Sequence, residues 1–301
     1  MTRVRCPGHI TGFFEICRSK IGDARYTGSR GAGVCIDKGV ETTVSIKGSG
    51  GTTIRINGEL EIAPVTQSVI NSFLRLINKD VAFEINHKIE VPISAGFGAS
   101  GAGALSTAFA LNKELNLNMS RNAVATIAHI AEVESQTGLG DVIAQTYGGV
   151  EIRTEPGAPG IGRIDQILTD PSLQVLCINL GKLETKAVLT NPAQQNRINQ
   201  AGKILVSELL KNVTVENLLR LSKKFMEESE LASEGLKELL QYITGFHRLP
   251  FSMVMLGESL FTFIKKEEGA ELQDEVQAYS SKLNVFICDI DFRGPKLVEA
   301  Q

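Results

Sequence analysis

The chain has 301 residues, of which 43% are hydrophobic and 22% charged, and its formal net charge is −3. These values are ordinary for globular proteins and exclude a mostly disordered chain, a collagen-like repeat and a membrane-spanning bundle. No long basic run is present, so charge does not indicate a nucleic-acid-binding surface. The length exceeds what one hydrophobic core usually holds, and we therefore expect two domains.

The N-terminal segment and the cysteines indicate an intracellular protein. Arg3 and Arg5 lead directly into Pro7-Gly8 without an apolar segment, so we expect no signal peptide. The five cysteines form no C-x-x-C pair, and an odd number leaves one unpaired. This pattern fits reduced thiols better than disulfide bonds or a zinc site. We expect a cytoplasmic protein.

The first ninety residues predict mainly β-strands. A β-branched run predicts a strand over 40–47, and alternating apolar residues on both sides of Asn57-Gly58 predict a β-hairpin. A helix is expected over 65–76. Apolar and polar side chains then alternate over 81–91, which is typical of a strand in a sheet that has one face in water.

The middle of the chain predicts two helices followed by a strand. The helices are expected over 101–115 and 120–136, and Ser120 is the predicted N-cap of the second. A short strand is expected over 147–153. This order of elements differs from the strand–helix–strand repeat of a parallel sheet.

A dense cluster of proline and glycine at 156–162 predicts the domain boundary. We therefore expect one domain over residues 1–160 and a second over 161–301. The second half predicts two strands and four helices. The strands are expected over 173–180 and 284–290, and the helices over 193–211, 215–229, 234–244 and 271–283.

The clearest chemical signal is a glycine-rich loop between a predicted strand and a predicted helix. Its residues are Pro92, Ile93, Ser94, Ala95, Gly96, Phe97, Gly98, Ala99, Ser100, Gly101 and Ala102. Glycines let backbone amides approach a ligand closely, and a helix N-terminus adds N–H groups and a favourable dipole. The loop therefore predicts a phosphate-binding site, and close packing of the helix is the alternative explanation.

Two common phosphate-binding loops do not fit this segment. Gly96, Gly98 and Gly101 match G-x-G-x-x-G, but a second helix follows where a dinucleotide-binding unit has a strand. No acidic residue ends a second strand about twenty residues later, as that fold requires. The P-loop is excluded because Ala102 stands where it has lysine. A dehydrogenase is therefore the weaker interpretation.

Three segments resemble the GHMP kinases, the superfamily of galactokinase, homoserine kinase, mevalonate kinase and phosphomevalonate kinase. The glycine-rich loop is similar to their second motif, Pro-x-x-x-Gly-Leu-Gly-Ser-Ser-Ala. Residues 6–10, Cys-Pro-Gly-His-Ile, are similar to their N-terminal Ala-Pro-Gly-Lys segment. The third segment joins Glu132, Gly140-Asp141 and Gly148-Gly149. Within the superfamily, the chain most resembles the archaeal pantoate kinases, through residues 7–14, 28–33 and 138–142.

The resemblance implies an α+β protein with the two-domain GHMP kinase fold. Its N-terminal domain would resemble ribosomal protein S5 domain 2, and its C-terminal domain would be ferredoxin-like. The implied reaction transfers phosphate from ATP, with Mg²⁺, to (R)-pantoate and gives 4-phosphopantoate for coenzyme A synthesis. Analogy with the superfamily adds a homodimer. The charge balance and the lack of a long apolar stretch predict no nucleic-acid or membrane partner.

Two alternatives to this function stay open. The first is another small-molecule kinase of the superfamily, acting on shikimate, homoserine or a mevalonate derivative. The second is a nucleotide- or RNA-binding module without enzymatic activity. The acidic charge balance and the 6% aromatic content argue against RNA.

The resemblance also implies which residues act on ATP and the metal. The loop residues implied to bind ATP are Pro92, Ala95, Gly96, Phe97, Gly98, Ala99, Ser100, Gly101 and Ala102. Ser100 and Glu132 would hold Mg²⁺, with Glu134 as the alternative carboxylate because helical periodicity does not separate the two. Asp141 would accept or orient the proton of the substrate hydroxyl. Helix N-caps are the alternative roles of Ser100 and Asp141.

Pantoate is a small carboxylate with two hydroxyl groups, so its pocket should offer a cation and neutral hydrogen-bond donors. Arg153 could bind the carboxylate through two parallel hydrogen bonds. Ser29 and His129 could complete the pocket, and Arg30 is a second choice. For each of these positions a surface or core role is the alternative.

Two positions depart from the superfamily pattern. His9 stands where many members have lysine, and a histidine is only partly charged near neutral pH. We therefore expect Asp141 to act more by orienting the hydroxyl than as a strong base, and His9 belongs to the candidate substrate site. Gly257 is the single candidate for a third glycine motif in the C-terminal half.

Overall fold

A computed structural model describes residues 1–48, 50–181, 191–246, 248–280 and 282–298, with the backbone alone at residue 246. In this part of the chain, helices and strands are mixed and the strands form two sheets. The expected α+β composition is confirmed. No helix in the described ranges has an apolar stretch long enough to cross a bilayer.

The strands are numbered in chain order. They are β1 (Thr2–Cys17), β2 (Gly28–Lys47), β3 (Thr53–Ile56), β4 (Glu59–Leu60), β5 (Ala82–Ile89), β6 (Val150–Glu155), β7 (Arg163–Ile167), β8 (Gln174–Asn179), β9 (Ser252–Met253), β10 (Ser259–Ile264), β11 (Asn284–Asp289) and β12 (Lys296–Leu297). The helices are α1 (Pro64–Ile77), α2 (Ala99–Glu114), α3 (Arg121–Ser135), α4 (Asp141–Tyr147), α5 (Pro192–Leu209), α6 (Val215–Ser229), α7 (Glu234–Phe246) and α8 (Gly269–Tyr279). Short 3-10 turns lie at Ala24–Tyr26 and Lys266–Glu268.

The first sheet has the strand order β12-β1-β2-β5-β3-β4, and β6 pairs with both β2 and β7. Its strands are antiparallel except for the parallel pair of β3 and β5. The register of β1 against β2 breaks between Pro7 and Gly8 and again between Thr11 and Phe13. Such breaks bend a strand and often lie beside active sites, and these two flank the segment that carries His9.

Helix α2 lies at the centre of the first layer. Ten of its sixteen residues are buried, because glycine, alanine and serine leave room for the sheet on one side and for α1 and α3 on the other. The cluster beneath it includes Val44, Phe73, Phe83 and Leu105. This packing fixes the start of α2, and therefore the glycine-rich loop, relative to the sheet.

The second sheet is antiparallel with the order β11-β8-β10-β9. Its hydrophobic core continues into the first sheet, because Phe13 and Phe14 of β1 belong to the same cluster as β8 and β10. The ring centroid of Phe225 on α6 lies 6.5 Å from that of Phe13 and 5.7 Å from that of Phe14. The two sheets are thus joined by shared core residues.

The hairpin at Asn57-Gly58 is confirmed, since both residues have positive φ, 50° and 94°, as two-residue hairpin turns require. The cap at Ser120 is also confirmed, because its side chain accepts a hydrogen bond from the Ala123 amide. The strand expected from residue 147 begins at Val150, because α4 extends to Tyr147. The sequence analysis missed β10, which is buried on both faces and therefore lacks alternation.

Two short strands beyond residue 160 return to the first sheet. Strand β7 pairs with β6, and β12 pairs with β1. The chain after the proline- and glycine-rich segment therefore contributes to both sheets. The division into residues 1–160 and 161–301 stays a prediction.

Candidate active site

A cleft of about 850 Å³ opens beside the glycine-rich loop. Its size lies within the range of small-molecule sites. The wall contains residues 96–100 of the loop, Ser29, Glu132, the turn 138–141 and Leu256. The structure therefore brings together four predicted polar residues, Ser29, Ser100, Glu132 and Asp141, although they are distant in sequence.

The N-cap residue of α2 is Gly98, which adopts a left-handed conformation with φ 64°. It has no side chain to accept a hydrogen bond, and the first-turn amides of a helix have no partner within it. Three carbonyls of the loop are bound by other elements. Gln145 Nε2 donates to the Gly98 oxygen at 2.8 Å, the His9 amide donates to that of Phe97 at 3.0 Å, and Ser259 Oγ donates to that of Ala95 at 3.0 Å. The loop is thus fixed from behind, which suits a preformed anion site.

The glycines of the loop also permit close packing. A Cβ on Gly101 would lie 2.8 Å from Gln145 Oε1, and a Cβ on Gly257 would collide with the Ala95 carbonyl. Gly257 therefore supports the loop from the second half of the chain. The packing explanation holds for these two glycines, and it leaves the start of α2 available to a ligand.

The apolar residues of the loop have different positions. Pro92 and Ala99 line the cleft. Ala95, Phe97 and Ala102 are buried; Phe97 also borders the cleft, and its ring packs against Phe286 with a centroid separation of 5.4 Å. The side chains of this second group therefore support the loop, whose backbone remains the candidate for phosphate binding.

Glu132 is buried and faces the start of α2. Its Oε1 accepts hydrogen bonds from Ser100 Oγ at 2.5 Å and from Thr137 Oγ1 at 2.8 Å. Its Oε2 is buried without a hydrogen-bond partner among the described residues. Glu134, the alternative carboxylate, is exposed and does not line the cleft.

The N-cap alternatives for Ser100 and Asp141 are wrong. Gly98 is the N-cap of α2 and Gly140 is that of α4, so both polar residues lie inside their helices. Their side chains point instead to Glu132 and to His9. Helix capping therefore does not explain the presence of Ser100 and Asp141 at these positions, and a role in the site is the remaining interpretation.

Burial raises the pKa of Glu132 to about 7, and the negative charge of Asp141 adds to this, while the hydrogen bonds from Ser100 and Thr137 act in the opposite direction. A divalent cation at this carboxylate would remove the cost of its charge. Its unpartnered oxygen and the Ser100 hydroxyl are hard ligands that fit Mg²⁺. No group of three or more His, Cys, Asp or Glu side chains that could hold a metal is found in the described ranges, and Mg²⁺ on a nucleotide needs only one or two carboxylates.

The turn before α4 passes between functional side chains because it contains two glycines. A Cβ on Gly138 would collide with Glu132 Oε2. A Cβ on Gly140 would collide with Ser29 Oγ and lie 2.8 Å from Arg153 Nε. Any larger residue at either position would displace these groups. The turn thereby delivers Asp141 to the cleft.

Behind Asp141 lies a buried chain of charged side chains. Asp141 Oδ1 is 2.7 Å from His9 Nδ1, and His9 Nε2 is 2.9 Å from Glu151 Oε1. Arg153 Nη1 donates to the same Glu151 oxygen. The side chains of His9, Glu151 and Arg153 are fully buried, whereas that of Asp141 is 25% exposed. Because both ring nitrogens of His9 face carboxylates, the charged imidazolium satisfies both partners.

The pKa of His9 reflects two opposing effects. Burial alone would lower the pKa, but the hydrogen bonds and negative charges of Asp141 and Glu151 outweigh it and raise the pKa above its ordinary value. His9 is therefore protonated to a greater extent near neutral pH than the sequence analysis expected. The position that holds lysine in many members of the superfamily is occupied here by a histidine that contacts two carboxylates.

Arg153 lies beneath Gly140 and does not itself line the cleft. Its Nε and Nη2 are buried without a hydrogen-bond partner in the described part of the chain. These two atoms form one edge of the guanidinium, the edge that binds a carboxylate through two parallel hydrogen bonds. Ser29 Oγ lies close to this edge, since a Cβ on Gly140 would collide with Ser29 Oγ and would be 2.8 Å from Arg153 Nε.

The structure does not bring Arg30 or His129 to the cleft. Arg30 Nε donates to the Thr154 carbonyl at 2.9 Å, and Nη1 pairs with Glu15 at 3.1 Å. His129 Nε2 donates to the Thr27 carbonyl at 2.9 Å, and burial lowers the pKa of this histidine. His129 thus anchors the segment that leads to Ser29.

Sequence reasoning missed three polar residues of this region, namely Thr137, Gln145 and Glu151. The first bonds Glu132 and the second bonds the loop at Gly98. Glu151 was detectable in principle, because it lies two residues before Arg153 in a strand and therefore on the same face.

Comparisons with known proteins extend the resemblance beyond the motifs. The family of GHMP kinases N terminal domains matches residues 65–149. A pantoate kinase of Methanocaldococcus jannaschii is 39% identical over 94% of this chain and 98% of its own length. A pantoate kinase of Thermococcus kodakarensis is 36% identical over 89% of each chain. A solved structure described as a phosphotransferase related to the CoA biosynthesis pathway has a TM-score of 0.85 at 32% identity and covers 98% of each chain.

Proposed function

Because this chain belongs to the pantoate kinase family within the GHMP kinases, we propose that it phosphorylates (R)-pantoate with ATP. The products are 4-phosphopantoate and ADP, and the reaction serves coenzyme A biosynthesis. The similarity spans nearly the whole chain, including the part that follows the glycine-rich loop. This extent supports the full activity and not only nucleotide binding.

The observation that carries the choice of substrate is the free edge of Arg153 beside Ser29. Arg153 Nε and Nη2 are buried and unpartnered in the described part of the chain, which is costly unless a ligand satisfies them. A carboxylate satisfies both at once. Pantoate brings a carboxylate and two hydroxyl groups, so its hydroxyls would lie between Ser29 and Asp141. A shift of the Gly140 turn would open the path to the arginine.

The nucleotide would occupy the other part of the cleft. The amides at the start of α2 would bind its phosphates through hydrogen bonds and the helix dipole. Ile62, Val65, Ile89 and Ile93 provide an apolar end of the cleft that suits a purine base. The γ-phosphate would then point towards Asp141, in line with a hydroxyl of pantoate.

Asp141 would hold the attacking hydroxyl and accept its proton during transfer. Its Oδ1 is bound to the charged His9, so the carboxylate keeps one orientation while the rest of the side chain faces the cleft. Phosphoryl transfer depends mainly on positioning and charge neutralisation, and a loosely basic carboxylate is sufficient for it. Ser100 and Glu132 would hold Mg²⁺, which when bound neutralises charge on the phosphates.

The finer features of the implied fold and assembly belong to the same proposal. They are a domain like ribosomal protein S5 domain 2 over residues 1–160, a ferredoxin-like domain over 161–301, a homodimer and a cytoplasmic location without nucleic-acid or membrane partners. The five cysteines are free, and four of them are buried, which supports a reducing compartment. Analytical ultracentrifugation would test the homodimer, and fluorescence microscopy of a tagged protein would test the cytoplasmic location.

The function is tested by a panel of alcohols assayed for ADP release. The panel contains pantoate, shikimate, homoserine and mevalonate at equal concentration with ATP and Mg²⁺. We expect turnover with pantoate at least about 100-fold above the others, because only a matched site satisfies its buried donors. Equal or faster turnover of another alcohol would show that pantoate is not the preferred substrate. Tight RNA binding without turnover of any alcohol would favour a non-enzymatic RNA-binding module over a kinase.

Substitutions at the Arg153 edge should affect pantoate more than ATP. We expect Arg153→Lys to raise the pantoate KM about 100-fold, because lysine cannot make two parallel bonds. Ser29→Ala should raise it about 10-fold through the loss of one hydrogen bond. The ATP KM should stay within about twofold in both. Arg163→Lys, at an exposed position on β7, is the matched control, and equal increases in both KM values would remove these residues from the pantoate site.

A further inference from the structure

We infer that Glu151 is a positioning residue that holds His9 and Arg153 in the arrangement that phosphoryl transfer to pantoate requires. This inference rests on the proposed function. Glu151 does not line the cleft, so it acts through its two partners. One of them stands behind the catalytic carboxylate of Asp141, and the other presents the proposed carboxylate-binding edge.

A single oxygen of Glu151 serves both partners. Glu151 Oε1 lies 2.9 Å from His9 Nε2 and accepts a hydrogen bond from Arg153 Nη1. The two nitrogens lie only 3.4 Å apart. Two cations at this distance repel each other strongly in a buried site unless an anion lies between them. Glu151 supplies that anion.

The titratable groups that surround His9 lie on α4, β6 and β2. Strand β1 provides His9 itself, α4 provides Asp141, and β6 provides Glu151 and Arg153. Strand β2 provides the thiol of Cys35 opposite His9, and burial raises the pKa of this thiol so that it stays neutral. The four charged groups therefore balance as two cations and two anions. Removal of the Glu151 charge leaves two cations with one carboxylate.

His9 is the group that responds to this imbalance. An arginine keeps its proton in proteins, whereas a histidine releases one within the neutral range. Without the Glu151 charge, His9 becomes neutral at a lower pH and donates from only one ring nitrogen. The bond to Asp141 Oδ1 then depends on which nitrogen keeps the proton, so the orientation of the catalytic carboxylate is no longer fixed.

Arg153 depends on Glu151 in a different way. Its Nη1 is bound to Glu151, and this bond leaves Nε and Nη2 as the free edge next to Ser29. Loss of the anchor allows the guanidinium to rotate or to satisfy its donors elsewhere. Binding of the pantoate carboxylate should then weaken, while the nucleotide end of the cleft is unaffected. Glu151 therefore couples the position of the acceptor to the orientation of Asp141.

The variant Glu151→Gln keeps the shape of the side chain and removes its charge. We expect kcat to fall about 10- to 100-fold through loss of orientation, and the pantoate KM to rise about 10-fold through loss of the Arg153 anchor. The ATP KM should remain within about twofold. The alkaline limb of the kcat profile should move to lower pH, because the pKa of His9 falls. Glu155→Gln, an exposed glutamate on the same strand, is the control and should match the unchanged protein.

A second measurement follows the His9 ring by NMR titration in the absence of substrates. We expect its pKa to fall in Glu151→Gln and to be retained in Glu151→Asp, which keeps the charge and provides the test if the glutamine variant does not fold. An unchanged His9 titration in Glu151→Gln, a lowered His9 pKa in Glu151→Asp, or an equal rise of the ATP and pantoate KM values in Glu151→Gln would overturn the role of Glu151. Absence of pantoate turnover in the unchanged protein would instead overturn the proposed function, and the titration separates these two failures.

Discussion

Replacement of Asp141 by asparagine should lower kcat by about 10²- to 10⁴-fold, the usual effect of removing a group that accepts a proton in the transition state. Asparagine has the same shape and can still accept a hydrogen bond from His9 through its amide oxygen, so the buried chain of side chains keeps its geometry. It cannot accept the proton of the attacking hydroxyl. ATP binding should be unchanged, because in the proposed site the start of α2, and not Asp141, would hold the phosphates.

The experiment combines steady-state kinetics with ATP binding measured by calorimetry. Asp165→Asn, an exposed position on β7, is the matched control. A kcat within about threefold of the unchanged enzyme would remove Asp141 from the reaction. Loss of ATP affinity in parallel with kcat would show that the carboxylate serves the nucleotide and not the acceptor.

Replacement of Glu132 by glutamine should have opposite effects on activity and on stability. Activity should fall at least about 100-fold, because the carboxylate that fits Mg²⁺ is lost. The free energy of unfolding at pH 8 without Mg²⁺ should instead rise by about 1 to 2 kcal/mol. The stability gain follows from the pKa of the buried carboxyl, which is raised to about 7 mainly by burial.

The direction follows from proton binding in the two states. The ordinary pKa of a glutamate is 4.5, so between that pH and about 7 the folded state binds more protons. The stability of the unchanged protein therefore falls as the pH rises through this window. Above it, the ionised Glu132 carboxylate lowers the free energy of unfolding by about 3 kcal/mol. Glutamine avoids this cost, but its buried, unpaired amide group in the place of Oε2 destabilises the folded state by about 1 to 2 kcal/mol. The net result is the expected gain of about 1 to 2 kcal/mol.

Urea unfolding at pH 5 and pH 8 in the presence of a chelator measures this difference. We expect Glu132→Gln to be no more stable than the unchanged protein at pH 5 and more stable at pH 8. Glu134→Gln, on the exposed side of the same helix, should match the unchanged protein at both values. Addition of Mg²⁺ and a non-hydrolysable ATP analogue should stabilise the unchanged protein more than the glutamine variant. Equal stability of the two at pH 8 would contradict a charged, unneutralised Glu132.

The sequence was sufficient to locate the cleft because its main residues lie in short local motifs. The loop that ends at Ser100 and the glycine turn that precedes Asp141 are contiguous patterns with a physical meaning at any position. Periodicity could not separate Glu132 from Glu134, since both flank the apolar stripe of α3. What distinguishes them is the turn at Gly138, which covers Glu132 and leaves Glu134 exposed.

The residues that sequence analysis placed wrongly or missed depend on contacts distant in sequence. Neighbouring side chains of a strand point to opposite faces, so Ser29 and Arg30 could not both face the cleft, and the pattern did not show which one does. Glu151 and Arg153 alternate with apolar residues as an exposed strand would, yet both are buried. The pKa of His9 is raised by Asp141 and Glu151, which lie 132 and 142 residues later in the sequence.

The pairing of β12 with β1 has a consequence for the way this protein is made. Val4 pairs with Leu297, so the edge of the first sheet joins the earliest and the latest synthesised strands of the described chain. Contacts of such large sequence separation form slowly, because a long loop must close before they are gained. While the ribosome completes the chain, β1 offers open backbone groups to any other strand. Chaperone protection of this edge during translation would limit aggregation of the nascent chain.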